Sequence, residues 1–166
     1  KGFGSGLVVP GTGIALHNRG FGFVNTPGHP NEVAGGKRPM HSIIPAFMTR
    51  NGKPVMAFGV MGGNMQAQGH MQMVLRRTIE GLNPQACSDA PRWRINDAAV
   101  LTLEHAVSPE VVEGLIAMGH APRVAAPDSL DFGSAQLIQR LEQDANGLCS
   151  YIAGSDHRRD GQAIGR

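Results

Sequence analysis

The hydrophobic pattern changes period once within residues 54–82, and that change organises the chain. Residues 55–61, Val-Met-Ala-Phe-Gly-Val-Met, form an apolar run too short for an ordinary helix and suited to a buried strand. Beyond them Met71, Val74, Leu75, Thr78, Ile79 and Leu82 recur at helical spacing, so the strand is predicted to run into a helix. Gly62 and Gly63 lie between the two. Two residues without Cβ let the backbone turn sharply and let its amides approach a ligand. Amides at a helix start favour an anion or a developing oxyanion, although a plain tight turn satisfies the same two glycines.

The same patterns divide the rest of the chain. Residues 7–9 and 14–16 are short apolar runs separated by Pro10-Gly11-Thr12-Gly13 and predict two strands with a tight connection. Residues 18–38, rich in Gly, Pro, Asn and His, predict a long loop, and loops beyond about 12 to 15 residues tend to be functional or disordered. Residues 43–49 predict a strand hairpinned to 55–61 through Arg50-Asn51-Gly52-Lys53, because Asn-Gly suits a two-residue turn. Asn83-Pro84 predicts a capped helical turn ending near Pro91. Strands are predicted at 92–95 and 100–104, and an amphipathic helix from Ser108-Pro109-Glu110 to Gly119. Residues 134–141 fit helix or strand by pattern. The turn Asp144-Ala145-Asn146-Gly147 before residues 148–153 favours a hairpin with strands on both sides. The mixture predicts an α+β fold over 1–166 as a single domain, with no internal repeat.

Composition narrows the function classes. With 41% hydrophobic and 17% charged residues, the 166-residue chain has the make-up of a globular domain, not a disordered one. A formal charge of +2 gives no reason to expect nucleic acid or an anionic membrane as partner, and no stretch reaches the roughly 18 apolar residues of a membrane span. Cys87 and Cys149 lack metal-ligand spacing and further ligands, which argues for free thiols and against a zinc site built on them, and no cofactor is expected.

Candidate chemistry falls in four places. Lys37-Arg38-Pro39-Met40-His41-Ser42 sets cations, an imidazole and a hydroxyl before a strand, a grip for a carboxylate or simply a solvated basic loop. His17-Asn18-Arg19 could line the same pocket. The turn from Ser155 to Gly161 has the composition of a structural ion-pair network, and Gln66, Gln68, His70 and Gln72 could feed a buried polar patch or form a wet helix face. No Ser-His-Asp arrangement fits, since His41 and Ser42 are adjacent and neighbours on a strand point to opposite faces. The chain offers oxyanion donors and a carboxylate grip without a nucleophile.

A set of motifs accounts for that gap. Phe3-Gly4-Ser5-Gly6, Pro10-Gly11-Thr12-Gly13-Ile14, Gly36-Lys37-Arg38-Pro39, Gly62-Gly63, Asn83-Pro84-Gln85-Ala86, Asp89-Ala90-Pro91-Arg92 and the run from Gly154 to Gly161 occur in that order. Together they resemble the small catalytic subunit of γ-glutamyltranspeptidases and the related cephalosporin or glutaryl acylases, over nearly the whole chain. The resemblance implies part of an N-terminal-nucleophile hydrolase αββα sandwich, antiparallel sheets flanked by helices. It also implies a self-processing precursor, a large subunit of that precursor as partner, and a small acyl amide as substrate. The nucleophile of that family is a threonine exposed by self-cleavage, its own α-amine serving as base.

By the resemblance that threonine lies upstream of Lys1, which makes this chain a small-subunit fragment lacking its first strands and inactive alone. It is also expected to self-associate through exposed sheet edges. Gly62 and Gly63 match the oxyanion glycines, and Ser42 matches one of two adjacent serines that hold the substrate α-carboxylate, the other being replaced by His41. Where the family has acidic residues for the substrate ammonium, this chain reads Arg19-Gly20-Phe21-Gly22-Phe23. Arg19, His41 and Ser42 are therefore expected to bind an acidic acyl group, in a γ-glutamyltransferase-like amidohydrolase or acyltransferase of altered specificity. The rival expectation is a non-catalytic binding or structural domain on the same scaffold.

Overall fold

Asn51 and Gly52 both take positive φ, 51° and 76°, and close the two-residue turn that joins β1 (Pro45–Arg50) to β2 (Lys53–Met61). This hairpin is the edge of an antiparallel four-stranded sheet of order β1-β2-β6-β7, in which β6 is Ser134–Gln143 and β7 is Cys149–Ser155. The segment that fitted helix or strand by pattern is thus a strand, paired with β2 from Met56↔Gln139 to Met61↔Ser134. The computed structural model describes residues 4–165 and divides into two compact units, one up to Ile43 and one from Ile44 onward.

In the unit from Ile44 onward, α1 (Met65–Thr78) and α2 (Pro84–Asp89) cover one face of the sheet. Asn83 caps α2 by accepting the Ala86 amide at 2.9 Å, as its sequence predicts. Met56, Phe58 and Val60 of β2 alternate inward and meet Ala135, Leu137, Met73 and Cys87 in the core. Helix α1 sits close because its contact residue is Gly69, where a Cβ would come within 2.5 Å of the Val60 side chain. The opposite face of the sheet is open. Phe47, Ala57, Ile138 and Ala153 lie in one cross-strand row there, all exposed.

The packing of α1 differs from its hydrophobic pattern. Met71, Leu75 and Ile79 face outward, 43%, 44% and 77% exposed, while Gly69, His70, Gln72, Met73 and Arg76 are buried. The inward polar groups have defined partners. Gln68 exchanges two hydrogen bonds with the Ile95 backbone (2.7 and 2.9 Å), and Gln72 exchanges two with Trp93 (2.9 and 3.2 Å). Four helical residues advance about 6 Å and two strand residues about 6.6 Å, so glutamines one turn apart match alternate residues of a strand edge. The edge strand is β3 (Trp93–Ile95), antiparallel to β4 (Leu101–Leu103) in a second sheet. A crossover through α3 (Pro109–Ala117) leads to β5 (Arg123–Val124), parallel to β4 and too short to show in the hydrophobic pattern.

In the unit up to Ile43, the predicted strands at 7–9 and 14–16 reduce to one bridge, Val8↔Ala15, with flanking backbone hydrogen bonds. Leu7, Val8, Ile14 and Leu16 are all exposed, so no core extends the pairing. The long loop contains a 3-10 helix, Arg19–Gly22. Phe3 of the first motif lies outside the described residues. Cys87 and Cys149 are both free thiols, as expected.

Candidate functional site

The strand-to-helix junction is built by two glycines at positive φ, where a residue with a Cβ is strained. Gly62 has φ 130° and Gly63 φ 58°. A Cβ on Gly62 would come within 2.9 Å of the Gly133 Cα, whereas one on Gly63 would meet nothing within 4 Å. Gly133, buried and itself at φ 73°, is the backing of this turn that the sequence did not reveal, because only the β2–β6 register brings it there.

Both carbonyls of the turn point into the start of α1. Gly62 O accepts the Met65 amide and Gly63 O the Gln66 amide, each at 3.1 Å. Across planar trans peptides the N–H groups of Gly63 and Asn64 point the opposite way. Among the described residues, neither the Gly62 nor the Gly63 amide donates to the backbone or to a side chain. Exposed amides at the first turn of a helix can receive a negative oxygen.

Arg19 and Ser42, predicted together, do meet: Arg19 Nη1 donates to Ser42 Oγ at 2.6 Å. The Arg19 amide donates to His17 Nδ1 at 3.0 Å, which fixes the start of the 3-10 helix. His41, though adjacent to Ser42 and exposed, is not part of this pair. Lys37 is occupied elsewhere, its Nζ bonded to the carbonyls of Pro30 (2.6 Å) and Glu32 (3.0 Å), so it closes its own loop. Arg19, His41 and Ser42 belong to the unit up to Ile43, and Gly62 and Gly63 to the other.

The charged turn after β7 is structural, as its composition implied. Asp156 and Arg92 are fully buried and paired at 2.5 Å, and Asp156 also accepts the amides of Ala135 (2.6 Å) and Arg158 (2.9 Å). Arg158 in turn holds Glu104 at 2.5 Å. Burial alone would raise the Asp156 pKa, but the Ala135 amide, Arg92 and the Arg158 amide outweigh it and hold the carboxyl at about 2. The network ties α2, β3, β4 and the end of β7 behind β6, which Gly133 immediately precedes.

Comparison with known proteins assigns the family. The family model for Gamma-glutamyltranspeptidase matches residues 1–166. The chain is 35% identical over 168 residues to the oxamate amidohydrolase proenzyme of Klebsiella pneumoniae, covering 98% of this chain and 31% of that protein. It is 32% identical over 163 residues to the glutathione hydrolase proenzyme of Bacillus subtilis, covering 98% of this chain and 27% of that one. Among solved structures, the cephalosporin acylase of Bacillus halodurans superposes with a TM-score of 0.72 at 43% identity, covering 96% of this chain and 29% of that chain. The chain therefore spans less than a third of the length of these relatives. The fold is that of the N-terminal-nucleophile hydrolases, and the non-catalytic alternative is not favoured by a set of relatives that carry enzyme names. On the match along its whole length, this chain belongs to the gamma-glutamyltranspeptidase family.

Proposed function

We propose that the longer protein containing this chain is a self-processing amidohydrolase or acyltransferase that cleaves or transfers a γ-glutamyl or related acidic acyl group. The observation that carries this reading is the Gly62-Gly63 turn, whose carbonyls are held inward and whose amides remain for a ligand. The nucleophile is an N-terminal threonine outside these 166 residues. Its α-amine takes the hydroxyl proton as the oxygen attacks the substrate carbonyl, and the resulting oxyanion is held by the Gly62 and Gly63 amides. The amide C–N bond then breaks, the proton leaves with the amine, and water or an acceptor amine releases the acyl group.

Arg19, His41 and Ser42 orient the acyl chain. A guanidinium hydrogen-bonded to a hydroxyl offers a charge-assisted site for a carboxylate and repels an ammonium, which supports an acidic acyl group over one with a free α-amino group. Of the two relatives, the oxamate amidohydrolase proenzyme is named for an amide whose acyl part carries a carboxylate and no amine, which supports this reading, whereas the glutathione hydrolase proenzyme is named for a γ-glutamyl amide whose acyl part carries both. The large subunit of the same precursor packs a sheet of its own on the open row of Phe47, Ala57, Ile138 and Ala153.

The test is a set of 4-nitroanilides carrying glutaryl, succinyl, γ-glutamyl and butyryl groups, assayed with the full-length protein. Acidic acyl groups without an amine are expected to give the highest kcat/KM. Equal turnover of the butyryl compound would contradict the carboxylate grip, and no turnover of any would contradict the activity.

A further inference from the structure

Gln66 makes more contacts to the turn than helix formation requires. Its backbone amide and its side-chain Nε2 both donate to the Gly63 carbonyl, at 3.1 and 3.2 Å. Its Oε1 accepts the Ile44 amide at 2.9 Å, just before β1. Its own carbonyl is bonded to His70 Nδ1 at 2.6 Å, and His70 Nε2 accepts the Val60 amide at 3.3 Å. Because Nε2 accepts an N–H, the His70 proton is on Nδ1 and donates to Gln66. One chain of hydrogen bonds thus runs from Val60 in β2 through His70 and Gln66 to Gly63, and brackets the turn from both sides.

Ordinary helix starts need none of this. The Gly63 φ of 58° and the space around its missing Cβ leave its peptide free to rotate unless something holds it. A carbonyl with two donors fixes the plane of the Gly63–Asn64 peptide and so limits rotation at the Gly63 Cα, which this peptide shares with the Gly62–Gly63 peptide that carries the Gly63 N–H. We infer that Gln66 is a positioning residue for the reaction, one whose carboxamide holds the Gly63 carbonyl so that the Gly63 N–H on the adjoining peptide stays aimed at the oxyanion. His70 supports it by fixing the Gln66 backbone. This inference rests on the reading of Gly62 and Gly63 as oxyanion donors.

Two variants of the full-length protein test it, with Gly63→Val measured beside them. Gln66→Met keeps the length of the side chain and removes its polar atoms. Gln66→Glu keeps the acceptor for Ile44 while it removes the donor to Gly63 and adds a negative charge there, so it holds the test if the first variant folds poorly. Each is expected to lower kcat by about 10- to 100-fold with KM within about threefold, since small misplacements of catalytic groups cost on that scale. The inhibition constant of an acyl boronate, which forms a tetrahedral anion, should rise in parallel, while that of the free carboxylic acid product should not. A loss of stability alone would weaken both inhibitors or neither. Unchanged kcat and boronate affinity in Gln66→Glu, with Gly63→Val inactive, would overturn the role of Gln66 and leave the oxyanion reading intact. Normal turnover in Gly63→Val would overturn both.

Discussion

Arg92 and Asp156 form an ion pair at 2.5 Å in which both side chains are fully buried, and the pair joins the start of β3 to the turn after β7. A buried pair adds little over a well-packed apolar one, yet removing one partner leaves an uncompensated charge. Asp156→Asn is expected to cost about 3 to 5 kcal/mol of stability, read as a lower midpoint in guanidinium chloride. A change below about 1 kcal/mol would mean that the Ala135 and Arg158 amides hold the turn without the charge.

The same carboxyl sets an acid limit. Its folded pKa of about 2 lies below the ordinary 3.8, so its contribution is complete above about pH 4 and is lost as pH falls toward 2. A shift of this size corresponds to roughly 2 kcal/mol. Unfolding midpoints measured from pH 5 to pH 2 should fall more steeply for the parent than for Asp156→Asn. Parallel curves would remove Asp156 as the cause.

Gly62 and Gly63 should respond differently to a side chain. Gly62→Ala forces a Cβ against Gly133 and is expected to destabilise the protein by about 2 kcal/mol or more, because backbone is met on the far side. A Cβ on Gly63 meets open space, so the stability cost of Gly63→Val is expected to come mainly from a β-branched residue at positive φ, while turnover falls by about 100-fold or more. Thermal midpoints and kcat measured on both variants separate the two effects. Unchanged turnover in Gly63→Val would remove that glycine from the oxyanion site.

Arg19 is predicted to set acyl preference. Arg19→Asp replaces the cation beside Ser42 with a group that attracts an ammonium, and the ratio of kcat/KM for γ-glutamyl over glutaryl anilide should rise at least about tenfold. An unchanged ratio would show that the Arg19–Ser42 pair has no contact with the acyl group.

The junction of β2, Gly62-Gly63 and α1 was legible because it uses local signals: an apolar run, two glycines and a helical period. The Asn51-Gly52 hairpin was legible for the same reason. The inward side of α1 was not. Its apolar residues Met71, Leu75 and Ile79 face out because Gln68 and Gln72 cap the edge of β3, a match of spacings between two elements that no single segment shows. Gly133 behind Gly62 was hidden likewise, since strand register decides that contact. The composition of the run from Ser155 to Gly161 marks an ion-pair network, but its partners Arg92 and Glu104 lie 64 and 54 residues away in sequence and only the fold supplies them. Of the expected carboxylate grip, Arg19 and Ser42 pair directly, and His41 stays outside that pair.

The most direct test of the central claim is the intact mass of the full-length precursor, followed during incubation. The account predicts clean splitting into two chains, the smaller beginning with threonine and containing these 166 residues. A precursor that stays whole, or that splits at a residue other than threonine, would contradict it.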